Sequence, residues 1–277
     1  MKGLKPKLIP ILLLALLVVA GILGLKFLRS RGEDQEETRG SAPRVEPVNQ
    51  LPISLRPFTL IIPRSDGREV RIIINRLESA SQAEYELEYQ AGTLLQGAFG
   101  KIDFTKEEAP VTRNILLGSC SAGGKCSYHE NVIGGTLLLR YANGETTALK
   151  SEWNFQVMSE QEGRFTSRDA KFTYDVGKNG LSARTFVIIA QTMGLPAPVD
   201  GEVVGGPYAV SLPKGVSPRA REIELTLRAS TTDSNVKLLG WTENGWIEYE
   251  VKQSGKTLEA VVDQATTFVA VITPSTP

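Results

Sequence analysis

Cys120, Cys126 and the single histidine, His129, form a C-x5-C-x2-H spacing in a Gly/Ser-rich stretch, the densest chemistry-bearing cluster in the chain. The pair is expected to be a disulfide that pins the SAGGK loop, since close cysteines in a small-residue loop oxidise readily outside the cytosol. Closing a seven-residue ring is worth about 2 to 2.5 kcal/mol in the chain-entropy picture. A zinc site stays open only if Glu130 or a distant carboxylate adds the fourth ligand. A thiol nucleophile using His129 as base meets a geometric objection, because three residues along a strand put Cys126 and His129 on opposite faces. Asp103, Asp169, Asp175, Asp200, Asp233 and Asp263 could furnish a carboxylate pair for hydrolysis, but nothing in their spacing selects one, and no G-x-S-x-G elbow occurs. The doublets Gly123-Gly124, Gly134-Gly135 and Gly205-Gly206 read as turns rather than phosphate cradles. No metal or cofactor is therefore called for.

A second cluster is Trp241, Glu243, Trp246 and Glu248. If Asn244-Gly245 is a two-residue turn, Glu243 pairs with Trp246 and Trp241 with Glu248, so both indoles share a face as diagonal neighbours. Leu238, Ile247, Tyr249 and Val251 then form the core face. The outward indoles, flanked by carboxylates, would make a binding surface for a protein or a glycan, unless the preceding module or the Gly205-Gly206 segment covers them.

Period-two patterning positions both clusters. Tyr85, Leu87 and Tyr89 alternate with Glu84, Glu86 and Glu88, and Ile223, Leu225 and Leu227 with Glu222, Glu224 and Arg228. Asp66-Gly67, Asn143-Gly144 and Asn244-Gly245 offer type I′ hairpin turns. Only Glu78 to Glu84 and Ser159 to Asp169 read as non-strand. The expectation is an all-β body of two antiparallel β-sandwich modules, residues 51–196 with the disulfide loop and residues 207–277, joined by a Gly/Pro-rich linker at 197–206.

The run Ile115 to Tyr141 (ILLGSCSAGGKCSYHENVIGGTLLLRY), with Phe165 to Val176 and Gln191 to Pro196, resembles a group of uncharacterised single-pass, surface-facing proteins of uncultured small-genome bacteria. The closing pattern, an ENGW hairpin followed by Val262 to Ile272, is similar to β-sandwich modules that close bacterial surface proteins. The resemblance implies a surface-facing β fold and transfers no activity.

Residues 1–31 place the protein in its compartment. An uninterrupted apolar run of 18 residues, Leu8 to Leu25, lies between Lys2, Lys5 and Lys7 on one side and Lys26, Arg29 and Arg31 on the other. At about 1.5 Å per residue it reaches about 27 Å, close to a hydrocarbon core of about 30 Å. This predicts a transmembrane anchor; cleavage after Val18–Ala20 is the alternative, opposed by the apolar Ile22, Leu23 and Leu25 beyond it. Flanking charge is nearly balanced, so the cysteine pair decides the orientation: amino terminus cytoplasmic, body extracytoplasmic. Residues 32–50 are too polar to bury a core and read as a disordered stalk holding the body on the order of 25 Å from the bilayer. With eight of the 31 basic and five of the 31 acidic residues in the first 50, the body is left about three charges negative. Such a balance argues against nucleic acid as a partner. The sequence thus points to a membrane-anchored, extracytoplasmic binding, adhesion or scaffolding protein; the alternative is an extracytoplasmic hydrolase acting on envelope glycan or peptide.

Overall fold

The computed structural model describes residues 46–75, 80–143, 145–220, 222–263 and 265–273. The expected anchor and residues 32–45 of the expected stalk lie outside them, whereas residues 46–50, expected in the disordered stalk, are described; among the described residues no helix is long and apolar enough to cross a membrane. Residues from Pro47 onward form one compact unit.

The unit is all-β. β1 (Phe58–Pro63) and β2 (Glu69–Asn75) form a hairpin, as do β3 (Gln82–Ala91) and β4 (Leu94–Asp103). β5 (Val111–Leu116) returns to β2, and β6 (Gly118–Cys120) with β7 (Cys126–Tyr128) makes a short ribbon. The long pair β8 (Val132–Asn143) and β9 (Glu145–Val157) leads into a single helical turn, α1 (Met158–Gln161). There follow β10 (Arg164–Thr166), β11 (Phe172–Asp175), β12 (Phe186–Gln191), β13 (Glu202–Ser211), β14 (Ile223–Arg228), β15 (Val236–Thr242), β16 (Gly245–Tyr249), β17 (Lys252–Ser254), β18 (Thr257–Val262) and β19 (Thr267–Ile272). The two segments expected to be non-strand each yield part of a strand, at Gln82–Glu84 and Arg164–Thr166.

One nine-stranded antiparallel sheet, in the order β16-β15-β19-β13-β12-β9-β8-β3-β4, runs through the whole unit. Two smaller sheets pack on its opposite faces. The sheet β1-β2-β5 brings Ile61, Val70, Ile72, Ile74 and Ile115 against Leu87, Leu137, Leu139, Leu149 and Trp153. The sheet β10-β11-β14-β18-β17 brings Phe165, Phe172, Leu225, Leu227 and Leu258 against Tyr208, Val210, Leu238 and Phe268. β12 serves both cores. Ile188 and Ala190 face the first while Val187 and Ile189 face the second, so a strand buried on both sides reads as the unbroken run FVIIA. β19 does the same, with Phe268 and Ala270 in the second core and Val269 and Val271 in a third cluster beneath Leu195.

This changes the expected organisation. Two cores exist, but residues 197–206 do not separate two modules: β13 begins at Glu202 and is hydrogen-bonded to β12 on one side and β19 on the other. β11, from the expected first module, pairs with β14 from the expected second. The Gly205-Gly206 doublet is a place where β13 shifts register within the sheet, and a Cβ at Gly205 would stand 2.6 Å from Leu227 Cδ2. Gly134-Gly135, likewise expected in a turn, lies inside β8. Two hairpin turns fall one residue earlier than expected. Ser65-Asp66 and Glu243-Asn244 occupy the turn centres, and the following Gly67 and Gly245 take positive φ, +68° and +115°. A glycine adopts that conformation without the Cβ penalty that Asp66 or Asn244 would incur in a type I′ turn.

Candidate functional site

Cys120 and Cys126 stand directly opposite each other in the β6–β7 ribbon, Cα atoms 4.0 Å apart, and are joined by a disulfide. No described cysteine is free, so neither the zinc nor the thiol chemistry left open by the sequence applies to this pair. Among the described residues no group of three His, Cys, Asp or Glu converges as a metal site. His129 lies just beyond the ribbon, its backbone N–H donating to Leu117 O at 2.9 Å and its Nδ1 3.0 Å from the Tyr89 hydroxyl. Burial pushes the Tyr89 phenol above its ordinary range.

The ribbon borders an open cleft of about 1000 Å³ between the β1–β2 turn, residues 127–133 and the end of β9, with Arg68, Tyr128, His129, Glu130, Glu160 and Phe186 on its walls. Arg68 holds its guanidinium 4.4 Å from the Tyr128 ring centroid, a cation–π stack at the surface. Sequence reasoning passed over Arg68 and Tyr128 because they are 60 residues apart; the β1–β2 turn and the β6–β7 ribbon bring them together. Within the first half of β9, Asn49 donates its backbone N–H to Ala148 O at 2.9 Å, and its side chain bonds both the N–H and the C=O of Lys150. About six residues of β9, on the order of 20 Å at about 3.3 Å per residue, separate this junction from the cleft-lining residues 154–157.

The tryptophan hairpin has a different register from the one expected. Trp241 pairs directly with Trp246, and Thr242 with Gly245. Thr242 sets this register, for its hydroxyl accepts from Asn244 N–H at 3.2 Å and donates to Gly245 O at 2.9 Å. The indoles still share a face, now as an edge-to-face pair with centroids 5.2 Å apart. Both are half-buried. Trp246 packs on the Leu195, Val269 and Val271 cluster and donates Nε1–H to Ala197 O and Pro198 O, at 3.3 and 3.1 Å. The segment following β12 thus covers part of the expected platform. Glu243 and Glu248 are exposed, Glu248 bonded to Lys237 at 2.9 Å. Ile247, expected in the core, is 36% exposed on the edge strand β16.

The six aspartates scatter. Asp169 is the most constrained, accepting from Ser167 Oγ (2.6 Å), Tyr208 Oη (2.7 Å), Gln191 Nε2 (3.0 Å) and the Lys171 N–H (3.2 Å). Burial alone would raise its carboxyl, but these bonds and the Lys171 charge hold it below the usual carboxylate range. Burial and the bond to Asp169 push Tyr208 up in turn. Asp169 therefore ties the β10–β11 turn of one sheet to β12 and β13 of the other. Asp263 accepts from Tyr249 Oη at 2.6 Å beside an open cleft of about 780 Å³ under residues 212–220. Asp103, Asp175 and Asp233 accept backbone N–H bonds in turns.

The fold and these surfaces define an all-β protein with two cores on one shared sheet and a disulfide-pinned ribbon beside a polar cleft. Searches of protein families, curated proteins and solved structures return no match to the chain.

Proposed function

We propose that this is a membrane-anchored, extracytoplasmic binding or adhesion protein, tethered through residues 1–31, that presents the disulfide ribbon and its neighbouring cleft away from the membrane to a protein or glycan partner. The direction of β9 carries the reading: Asn49 is bonded in its first half, at Ala148 and Lys150, and the cleft, with the ribbon and the Arg68–Tyr128 stack beside it, lies at its far end. The disulfide supports an oxidising compartment. Loops positioned by a rigid scaffold are where binding residues concentrate.

Mass spectrometry of the native protein and protease shaving of intact cells test the tether. Retention of residues 1–31 with a protease-accessible body is expected. A mature amino terminus near residue 21, or a body protected in intact cells, overturns it.

A further inference from the structure

β4 closes the nine-stranded sheet, paired among the described residues with β3 alone. Because Ala91 pairs with Leu94 across the two-residue Gly92-Thr93 turn, the even-numbered residues of β4 direct N–H and C=O to β3 and the odd-numbered ones direct theirs outward. The far part of that outer edge is already used. The Arg113 guanidinium reaches Lys101 O at 3.5 Å, and Asp103 O accepts from the N–H groups of Lys106 and Glu107, each at 3.0 Å. Open backbone remains from Leu95 to Phe99, centred on Gly97.

The same window is apolar at the surface. Phe99 is 86% exposed, Leu95 69% and Leu94 62%. The usual protections of an edge strand are missing: β4 holds no proline and no bulge against β3, and Lys101 is neutralised by Glu84 at 2.7 Å.

We propose that β4 is a self-pairing edge, joining antiparallel to β4 of a second copy about a two-fold axis through Gly97. Only odd-numbered residues offer outward groups, so odd must meet odd. Centring on Gly97 uses the whole open window, whereas moving the axis toward Asp103 runs into the bonds from Arg113, Lys106 and Glu107, and moving it the other way runs into the Gly92-Thr93 turn. In this register each Phe99 lies opposite Leu95 of the other copy, Gln96 opposite Ala98, Leu94 opposite Gly100 and Gly97 opposite itself, with no like charges opposed. A second copy therefore supplies both halves of a self-complementary contact. The bare Gly97, where a Cβ would meet nothing nearer than Leu87 O at 3.6 Å, leaves room for the two Phe99 rings.

Sedimentation of residues 46–277 at high micromolar concentration tests the pairing, since a one-strand contact belongs to the weak, transient class. Concentration-dependent dimer is expected, weakened at least tenfold by Phe99→Lys or Gly97→Pro, with the melting curve of Phe99→Lys unchanged. The native cysteines are bonded to each other, so Gly97→Cys adds the one reactive thiol and should give a covalent dimer on oxidation, while Leu95→Cys, which faces Phe99, should not. A monomer throughout, or equal cross-linking of both cysteine variants, overturns the proposal.

Discussion

Ile188 and Ile189 are neighbours in β12 whose side chains are both fully buried, in different cores. Each truncation to alanine removes three buried carbons and leaves a cavity, a change that costs about 2 to 5 kcal/mol for a large aliphatic residue. If the shared strand makes the body one cooperative unit, both substitutions must act on the same transition. With about 3 kcal/mol each, and a shift of about 2 to 4 °C per kcal/mol for a domain of this size, the melting temperature should fall by about 6 to 12 °C in either variant. Differential scanning calorimetry of residues 46–277 is the assay. A single transition with matching calorimetric and van't Hoff enthalpies is expected in the parent and in both variants. Two transitions, one moved by Ile188→Ala and the other by Ile189→Ala, would refute the reasoning and restore two independent modules. For the same reason residues 205–277 alone should stay unfolded by circular dichroism, since they lack β10, β11 and the Val187–Ile189 face that complete the second core.

Asp169→Ala should destabilise the body by about 2 to 4 kcal/mol in urea, because it strips a charged acceptor from Tyr208, Gln191 and Ser167. Its folded pKa lies below the unfolded value, so its contribution is present above about pH 4 and is lost as pH falls through the folded pKa; the parent, not the variant, should show this acid-side loss. Thr267→Val should raise stability by about 1 kcal/mol, as the Thr267 hydroxyl is fully buried with no hydrogen-bond partner among the described residues; a lower melting temperature would contradict this. Replacing Cys120 and Cys126 together by serine should cost about 2 kcal/mol in denaturant titration. Trp246→Phe should cost about 1 kcal/mol through the lost bonds to Ala197 and Pro198, and an unchanged midpoint would mean the 195–199 segment does not cover the indole.

Composition and alternation by themselves determined that the body is all-β, where most strands run, that Leu87 and Leu225 face a core while Glu86 and Glu224 face away, and that Cys120 and Cys126 bond. These are local properties: side-chain period, turn residues and a short loop fix them within a few residues. The parity argument also held for the tryptophans to the extent of putting both on one face, yet it missed the register, because Thr242 competes for the turn through its own hydroxyl. The same parity, applied across Gly92-Thr93, would have set Leu95 and Phe99 beside the glutamates on the outer face. What the tertiary structure alone decided was which strands pair at a distance. Gly205-Gly206 looks like a hinge in one dimension, and becomes a register shift inside β13 once β12 and β19 flank it. FVIIA in β12 fits one buried face or two equally well from its composition. Only the arrival of β11 beside β14 and of β2 beside β5, from remote parts of the chain, places a core on each side of it.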